Sequence, residues 1–196
     1  MTAPLNDDAL NQLFREARTF NGYQDKPVTH TQLNDIWELM KFGPTSANCL
    51  PARLVWCTSD DAKEKLAALV APTNADKIRK APVSVIIGMD MEFYEQLPEL
   101  FPHADAKSWF VGNEDLIQKT AFRNSSLQGA YFIMAARALG LDPGPMSGFN
   151  NTAVDEAFFA GTSVKSNFIS TLGYGDPSTI FPRSPRPEFG RFNSFA

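Results

Sequence analysis

Residues 113–139 have the sequence NEDLIQKTAFRNSSLQGAYFIMAARAL, which is the most informative segment of the chain about its fold. Apolar residues recur in it at helical spacing, and Gly140 follows, so the pattern predicts one long helix over 113–139. The predicted inner side carries Leu116, Thr120, Leu127, Tyr131, Met134, Ala135 and Ala138. Small residues at Gly129, Ala130, Ala135 and Ala136 leave room for another element to approach closely. The sequence therefore predicts a long, closely packed helix.

Shorter elements surround this helix without a regular alternation of strand and helix. Strands are predicted at Leu54–Cys57, at Val83–Ile87 behind Pro82, and at Phe168–Leu172. Helices are predicted over 7–18, after Thr29 or Thr31, after Ser59 and over 152–160, with a break at Pro72–Asn74. Residues 92–112 are predicted as a short helix and loops, a candidate lid, and the proline-rich tail as extended. This mixture favours an α+β fold over a doubly wound one.

Composition limits the possible functions. The chain has 196 residues, 43% of them hydrophobic, which predicts one domain over residues 1–196 with an extended C-terminal arm at about 177–196. The net charge of −4 argues against nucleic acid or an anionic membrane as partner. No apolar run reaches ~20 residues, and the N-terminal stretch lacks an apolar signal core, so a cytoplasmic location is predicted.

The chain offers little acid–base equipment. His30 and His103 lie far apart in sequence, and neither has a Ser or Cys motif beside it that would suggest a nucleophile triad. Cys49 and Cys57 form no CxxC pair, so no metal site is predicted. Neither GxGxxG nor GxxxxGK[ST] is present. Such a chain, if it is an enzyme, is expected to leave the hard chemistry to a cofactor.

Four polar clusters are candidates for holding a cofactor, and each has an ordinary alternative. Arg18 at a helix end could simply complement the helix dipole. The Gly43–Pro51 loop carries hydroxyl and amide groups, but such loops are common. Asn74 and Lys77 could lie on a surface turn. The Gly140–Phe149 segment is predicted as a loop whose Gly and Pro content lets backbone N–H groups approach a flat ligand.

Taken in order, these clusters resemble the FMN-dependent nitroreductase family. The resemblance is nearest to its branch of malonic semialdehyde reductases and NADH dehydrogenase/nitroreductases, and it runs from about Leu10 to Arg186. It is carried by the segments 16–19, 43–48 with Pro51 and Arg53, 74–77 before Ala81-Pro82, 124–131, 140–149, 173–175 and 182–186.

The resemblance implies a nitroreductase-like fold with a mainly antiparallel central sheet flanked by helices, in an intertwined homodimer. It implies two FMN sites at the interface and hydride chemistry carried by flavin N5, with no catalytic side chain. The residues that match the family's flavin contacts are Arg18 near the ribityl and pyrimidine side, Pro44, Thr45, Ser46 and Asn48 on a loop lent by the partner subunit, Asn74 and Lys77 at the N3 and carbonyl edge, Pro145, Met146, Ser147 and Gly148 near N5, and Arg183 and Arg186 at the phosphate.

The implied activity is transfer of hydride from NADH or NADPH through FMN to a small acceptor. Candidate acceptors are malonic semialdehyde, giving 3-hydroxypropionate, and a nitroaromatic or quinone. A non-catalytic FMN-binding protein and a structural dimer without cofactor are the alternatives of other classes. The chain departs from the family pattern where many relatives have an Arg-x-Ser phosphate contact, because Phe14, Arg15 and Glu16 stand there. It also has Leu50, Ser147 and Phe20 where Gln, Glu and His are common.

Overall fold

The computed structural model describes residues 3–196. Four antiparallel strands form one sheet in the order β1-β2-β4-β3, with a bulge in β2 at Ile87/Gly88. The strands are β1 (Ala52–Cys57), β2 (Val83–Asp90), β3 (Asp142–Met146) and β4 (Val164–Gly173). The helices are α1 (Asp7–Leu10), α2 (His30–Met40), α3 (Asp60–Ala67), α4 (Pro72–Lys80), α5 (Leu97–Leu100), α6 (Glu114–Ala138), α7 (Asn151–Phe158) and α8 (Phe189–Phe192). The α+β class and the antiparallel sheet predicted from the sequence are confirmed.

Helices cover both faces of the sheet because β2 is apolar on both sides. Val85 and Ile87 pack with α2 and α6, whereas Ile86 points to the other face and packs with α3, α4 and α7. This follows from the alternation of side chains along a strand. A third cluster, around Phe93 and Phe110, packs the 92–112 segment against the start of α6.

The predicted caps determine where two helices begin. The Thr29 hydroxyl accepts from the N–H of Gln32, whose side chain returns to Thr29, and this capping box starts α2. Ser59 caps α3 in the same position. The first helix, predicted over 7–18, is shorter in the structure. The α-helix α1 is followed by a short π-helical turn, which ends at Arg15.

Two segments predicted to be irregular are regular. The expected break at Pro72–Asn74 is the first turn of α4, because a proline at the first helical position needs no N–H partner. Asn74 and Lys77 therefore lie on a helix and not on a turn. The expected loop over Gly140–Phe149 contains β3, which tolerates Pro143 and Pro145 because it is an edge strand and both missing N–H groups face outward.

The inner side of α6 also differs from the prediction. Leu116, Leu127 and Tyr131 are 36%, 45% and 40% exposed, and Ala138 is exposed as well. The buried side instead carries Asn124, Ser125 and Gln128, all at 0% exposure, together with Phe132 and others. The helical spacing predicted that these apolar residues face inward. In the structure, polar residues are buried there, and Asn124 and Gln128 accept hydrogen bonds from backbone N–H groups of the neighbouring segment.

Candidate functional site

Four arginines surround one cavity of about 510 Å³ at one end of the sheet. Its lining includes Arg18, Arg137, Arg183 and Arg186, and we call it the arginine cavity. The lining holds no carboxylate; the other lining residues are Phe14, Ala17, Thr19, Asn21, Phe181, Pro182 and Ser184. Guanidinium groups gathered without a counter-charge repel each other, and a phosphate dianion satisfies their forked donors. The arrangement therefore fits an anion.

The arginine cavity forms where the two ends of the chain meet. Arg18 donates to the carbonyl of Phe181, and Arg183 Nη2 donates to the carbonyls of Arg15 and Ala17 at 2.8 and 3.1 Å. Arg186 donates only to the carbonyls of its neighbours Ser184 and Pro185. The structure thus brings Arg18 together with Arg183 and Arg186, which the sequence had placed in a separate segment of the chain.

Arg137 is the cavity residue that the sequence analysis missed. Its Nη1 donates to the carbonyl of Leu13 at 2.9 Å, and its buried Nε has no partner within residues 3–196. Burial lowers the pKa of Arg137, and nearby Arg183 adds to that effect while Asp142 opposes it. An arginine in the last turn of a helix looks like a dipole complement, so only its place beside Arg183 reveals it.

A second group of predicted residues meets where the end of β3 touches α4. Asn74 Nδ2 donates to the carbonyl of Gly148 at 3.2 Å, and Ala71 N–H donates to the same oxygen at 2.9 Å. A Cβ on Gly148 would lie 2.9 Å from Asn74 Nδ2, so glycine allows the close approach. Lys77 lies one turn after Asn74 on the same helix face, is half-buried, and has no ion-pair partner within the described chain.

Strand β3 connects the two groups. Its first residue, Asp142, accepts from Gly175 N–H and lies close enough to Arg137 to interact with it electrostatically. Burial raises the pKa of the Asp142 carboxyl, while the Gly175 hydrogen bond and Arg137 oppose the change. Pro145, Met146, Ser147 and Gly148 follow at its other end, roughly 13 Å away at the rise of a strand. This spacing suits a ligand with an anion at one end and a flat polar ring at the other.

The loop predicted to contact the cofactor lies elsewhere. Pro44, Thr45, Ser46 and Asn48 lead into β1, and the Ser46 N–H donates to Asn124 Oδ1 on α6 at 2.8 Å. Arg137 lies in the last turn of α6, roughly 20 Å along the helix axis from Asn124. Within one chain, therefore, this loop and the arginine cavity are not brought together.

Backbone strain in the described chain is concentrated in this loop. Ala47, Asn48 and Leu50 have φ of 48°, 50° and 37°, and they are the non-glycine residues with positive φ within residues 3–196. The Asn48 side chain donates to the carbonyl of Leu100 at 2.9 Å, and the Thr45 hydroxyl accepts from Leu50 N–H at 3.2 Å. Strain of this kind costs about 1–3 kcal/mol per residue and marks segments with a special role.

The chemistry of these groups suits binding and orienting a ligand and does not provide an acid–base pair. Within residues 3–196 no cluster of three or more His, Cys, Asp and Glu side chains could hold a metal ion. Of the three residues that stand in place of the family's Arg-x-Ser pattern, Phe14 lines the arginine cavity, whereas Glu16 is exposed and does not line it. No helix among the described residues is both long and apolar enough to cross a membrane.

Comparisons with known proteins agree with the fold described above. The model of the Nitroreductase family matches residues 14–174. A protein of Burkholderia lata with the provisional name NADH dehydrogenase/NAD(P)H nitroreductase is 62% identical over 185 residues, covering 94% of this chain and 95% of the relative. A Ralstonia pickettii protein of the same provisional name, HadB, is 59% identical over 192 residues, covering 96% of each chain. A nitroreductase-like structure from Exiguobacterium sibiricum, solved in complex with FMN, is similar in fold with a TM-score of 0.85 at 19% identity, covering 100% of both chains.

Proposed function

The chain belongs to the nitroreductase family, and from that premise we propose that it is an FMN-dependent NAD(P)H oxidoreductase. One observation carries the proposal: Arg137 of the arginine cavity interacts with Asp142 at the start of β3, and the Asn74–Gly148 contact follows the end of β3. An FMN molecule has a phosphate and a flat polar ring to match them. The fold and the FMN complex of the Exiguobacterium sibiricum structure support the same choice of cofactor.

Each group of residues then has a role in holding FMN. Arg183 and Arg186 would hold the phosphate, and Arg18, which lines the same cavity, would hold the ribityl and pyrimidine side. Asn74 and Lys77 would contact the polar edge of the ring, and Pro145, Met146, Ser147 and Gly148 would pack against it. Bound FMN supplies the redox chemistry, accepting hydride from NADH or NADPH and passing it to a second substrate.

The protein contributes orientation and electrostatics. The ammonium of Lys77 stabilises negative charge at the ring edge, and its half-buried position reduces screening by water. The absence of a side chain on Gly148 lets backbone approach the ring. Holding donor and acceptor in turn over one face of the ring is a proximity effect and requires no titrating side chain.

The 44–48 loop reaches a flavin only if two chains share their sites. Because the loop lies far from the arginine cavity of its own chain, we propose a homodimer in which each chain lends this loop to its partner's FMN. Exposed apolar residues are consistent with a partner surface: Phe42 is 78% exposed, and the tail residues Phe181, Phe189, Phe192 and Phe195 are 61–92% exposed. Burying side chains of this size contributes roughly 1.5–3 kcal/mol each.

Truncation tests the dimer. Removing residues 181–196 is expected to leave a monomer at micromolar concentration in sedimentation, because the exposed phenylalanines of the arm are lost. The truncation also removes Arg183 and Arg186, so the diagnostic control keeps both arginines and replaces Phe189, Phe192 and Phe195 by serine. A control variant that stays fully dimeric would contradict the docking of the arm on a partner.

Anaerobic titration tests the enzyme. Purified protein is expected to bind one FMN per subunit, and NADH or NADPH is expected to bleach the flavin in the absence of air. Flavin that binds but is not bleached by either donor would indicate a non-catalytic FMN-binding protein. No uptake of FMN at micromolar concentration would refute the proposal.

The acceptor defines the finer activity. We propose malonic semialdehyde, reduced to 3-hydroxypropionate, as the small aldehyde to test first, on the resemblance to that branch. A nitroaromatic or quinone is the alternative, and the names of the Burkholderia and Ralstonia relatives favour it. Reoxidation rates of the bleached protein with an aldehyde, a nitroaromatic and a quinone, compared at equal concentration, distinguish the two.

A further inference from the structure

Two amide side chains on α6 hold the two ends of the segment 46–52, which overlaps the 44–48 loop. Asn124 Oδ1 accepts from Ser46 N–H at 2.8 Å, and Gln128 Oε1 accepts from Ala52 N–H at 2.8 Å. Both side chains are at 0% exposure, and they lie one helical turn apart. The strained residues Ala47, Asn48 and Leu50 lie between the two attachment points.

The hydrogen bonding of Gln128 shows which half of its amide matters. Its carbonyl oxygen is used for Ala52, while its buried Nε2 has no partner within residues 3–196. Because an unpaired buried donor is unfavourable, the position of Gln128 is explained by its acceptor and not by its donor. Asn124 is better satisfied, since its Nδ2 donates to the carbonyl of Thr120 at 2.8 Å.

We propose that Asn124 and Gln128 are positioning residues for FMN, acting through the loop that their chain lends to the partner subunit. They hold the backbone at Ser46 and Ala52, which keeps the left-handed residues between them from relaxing. The exposed Ser46 side chain and its neighbours are then presented in one conformation. The inference rests on the proposed function, because it requires FMN sites shared between two chains.

Hydrogen exchange in flavin-free protein tests the attachment itself. Asn124→Leu and Gln128→Met remove the acceptor with little change in volume, and Ser125→Ala is the matched control. Ser125 is equally buried on the same helix but bonds Phe122 and Asn167, not the loop. The Ser46 amide in Asn124→Leu, and the Ala52 amide in Gln128→Met, are expected to exchange about tenfold faster, as for loss of one hydrogen bond. Unchanged exchange at these amides would overturn the proposal.

Mixed dimers test the action in trans. Asn124→Leu is combined with Arg18→Glu in one heterodimer, at an FMN concentration that half-saturates the wild type. If the loop acts on the partner's site, both defects fall in one site and the other site is intact. The mixed dimer is then expected to hold half the wild-type flavin, although each mutant homodimer holds about a tenth or less of full occupancy.

The outcomes separate the two proposals. A mixed dimer without flavin, while wild type binds it, would show that Asn124 acts within its own chain and would overturn the action in trans. If the wild-type protein binds no flavin, both the proposed function and the action in trans are refuted. The hydrogen-exchange test uses flavin-free protein, so its result does not depend on flavin binding. If Asn124→Leu does not fold, Gln128→Met replaces it in both tests, because it removes the acceptor for the Ala52 N–H at the other end of the segment.

Discussion

Replacing Arg186 by glutamine is expected to weaken FMN binding about fivefold and to leave riboflavin binding unchanged. Arg186 lines the arginine cavity, and its recorded hydrogen bonds go only to the carbonyls of Ser184 and Pro185. Removing it therefore leaves the rest of the fold in place. Riboflavin has the same ring and ribityl chain as FMN but no phosphate, so the difference between the two ligands isolates the contact with the phosphate.

The expected magnitude follows from the exposure of Arg186. A hydrogen bond between charged groups contributes about 1.5–3 kcal/mol, and screening at an exposed site reduces this to about 1 kcal/mol. One kcal/mol corresponds to about fivefold in the dissociation constant. Because Arg186 is exposed, the loss is also expected to shrink as salt is raised.

Fluorescence titration with FMN and with riboflavin, at low and high salt, measures the effect. Arg191→Gln is the matched control, since Arg191 is an exposed arginine of the same arm that does not line the cavity. An equal loss for FMN and riboflavin, or an equal loss in the Arg191 variant, would refute the assignment of the phosphate to the arginine cavity.

Three further predictions concern the ring edge, the buried phenol and close packing. Lys77→Ala is expected to make the flavin reduction potential about 20 mV more negative, for a loss of about 1 kcal/mol in a two-electron couple, and an unchanged potential and FMN affinity would make Lys77 a surface residue only. Burial raises the pKa of the Tyr23 phenol from 10.0 to about 12, so its neutral form favours the folded state and about 2–3 kcal/mol of stability is lost as pH rises through that window. Urea unfolding at pH 9 and pH 12 is therefore expected to show a smaller alkaline loss in Tyr23→Phe than in wild type. Gly129→Ala would place a Cβ 2.4 Å from the Phe168 ring and is expected to destabilise the protein by about 1–2 kcal/mol in thermal unfolding, whereas Gly190→Ala, which meets nothing within 4 Å, is expected to be neutral.

Local signals predicted the elements whose causes are local. The hydroxyls of Thr29 and Ser59 cap α2 and α3 because a cap needs only its own next three residues. The central strand at Val83–Ile87 is apolar on both faces and was recognised, although β2 continues to Asp90. The long helix was recognised with its ends within a residue of the observed α6.

The errors came from residues whose meaning depends on distant partners. Pro72 looks like a break in isolation, yet it is favourable as the first residue of α4. The two prolines of β3 are tolerated only because that strand lies at the sheet edge, which the sequence does not reveal. Asn124 and Gln128 are buried because backbone groups from the 46–52 segment need acceptors, and helical spacing gives no sign of that.

The candidate site was predicted in parts by resemblance, and the structure adds how the parts meet. Arg18 and Arg183 come from opposite ends of the chain, and only the fold places them around one cavity. Arg137 was overlooked because its position in a last helical turn has an ordinary explanation. The roles of these residues toward FMN stay predictions.

Because residues from both ends of the chain close the arginine cavity, FMN binding is expected to affect the degradation of the protein. Arg18 and Phe181 are 163 residues apart in sequence. An FMN phosphate bound beside them would therefore act as a non-covalent cross-link that closes the long loop between them. Cofactor at a hundred times its dissociation constant would add about 2.7 kcal/mol to folding stability by mass action. Flavin-free chains are expected to release the C-terminal arm to proteases more often, so limited proteolysis should remove the arm faster without FMN than with it. The supply of riboflavin, the precursor of FMN, would then affect the abundance of this protein through its degradation, as well as its activity.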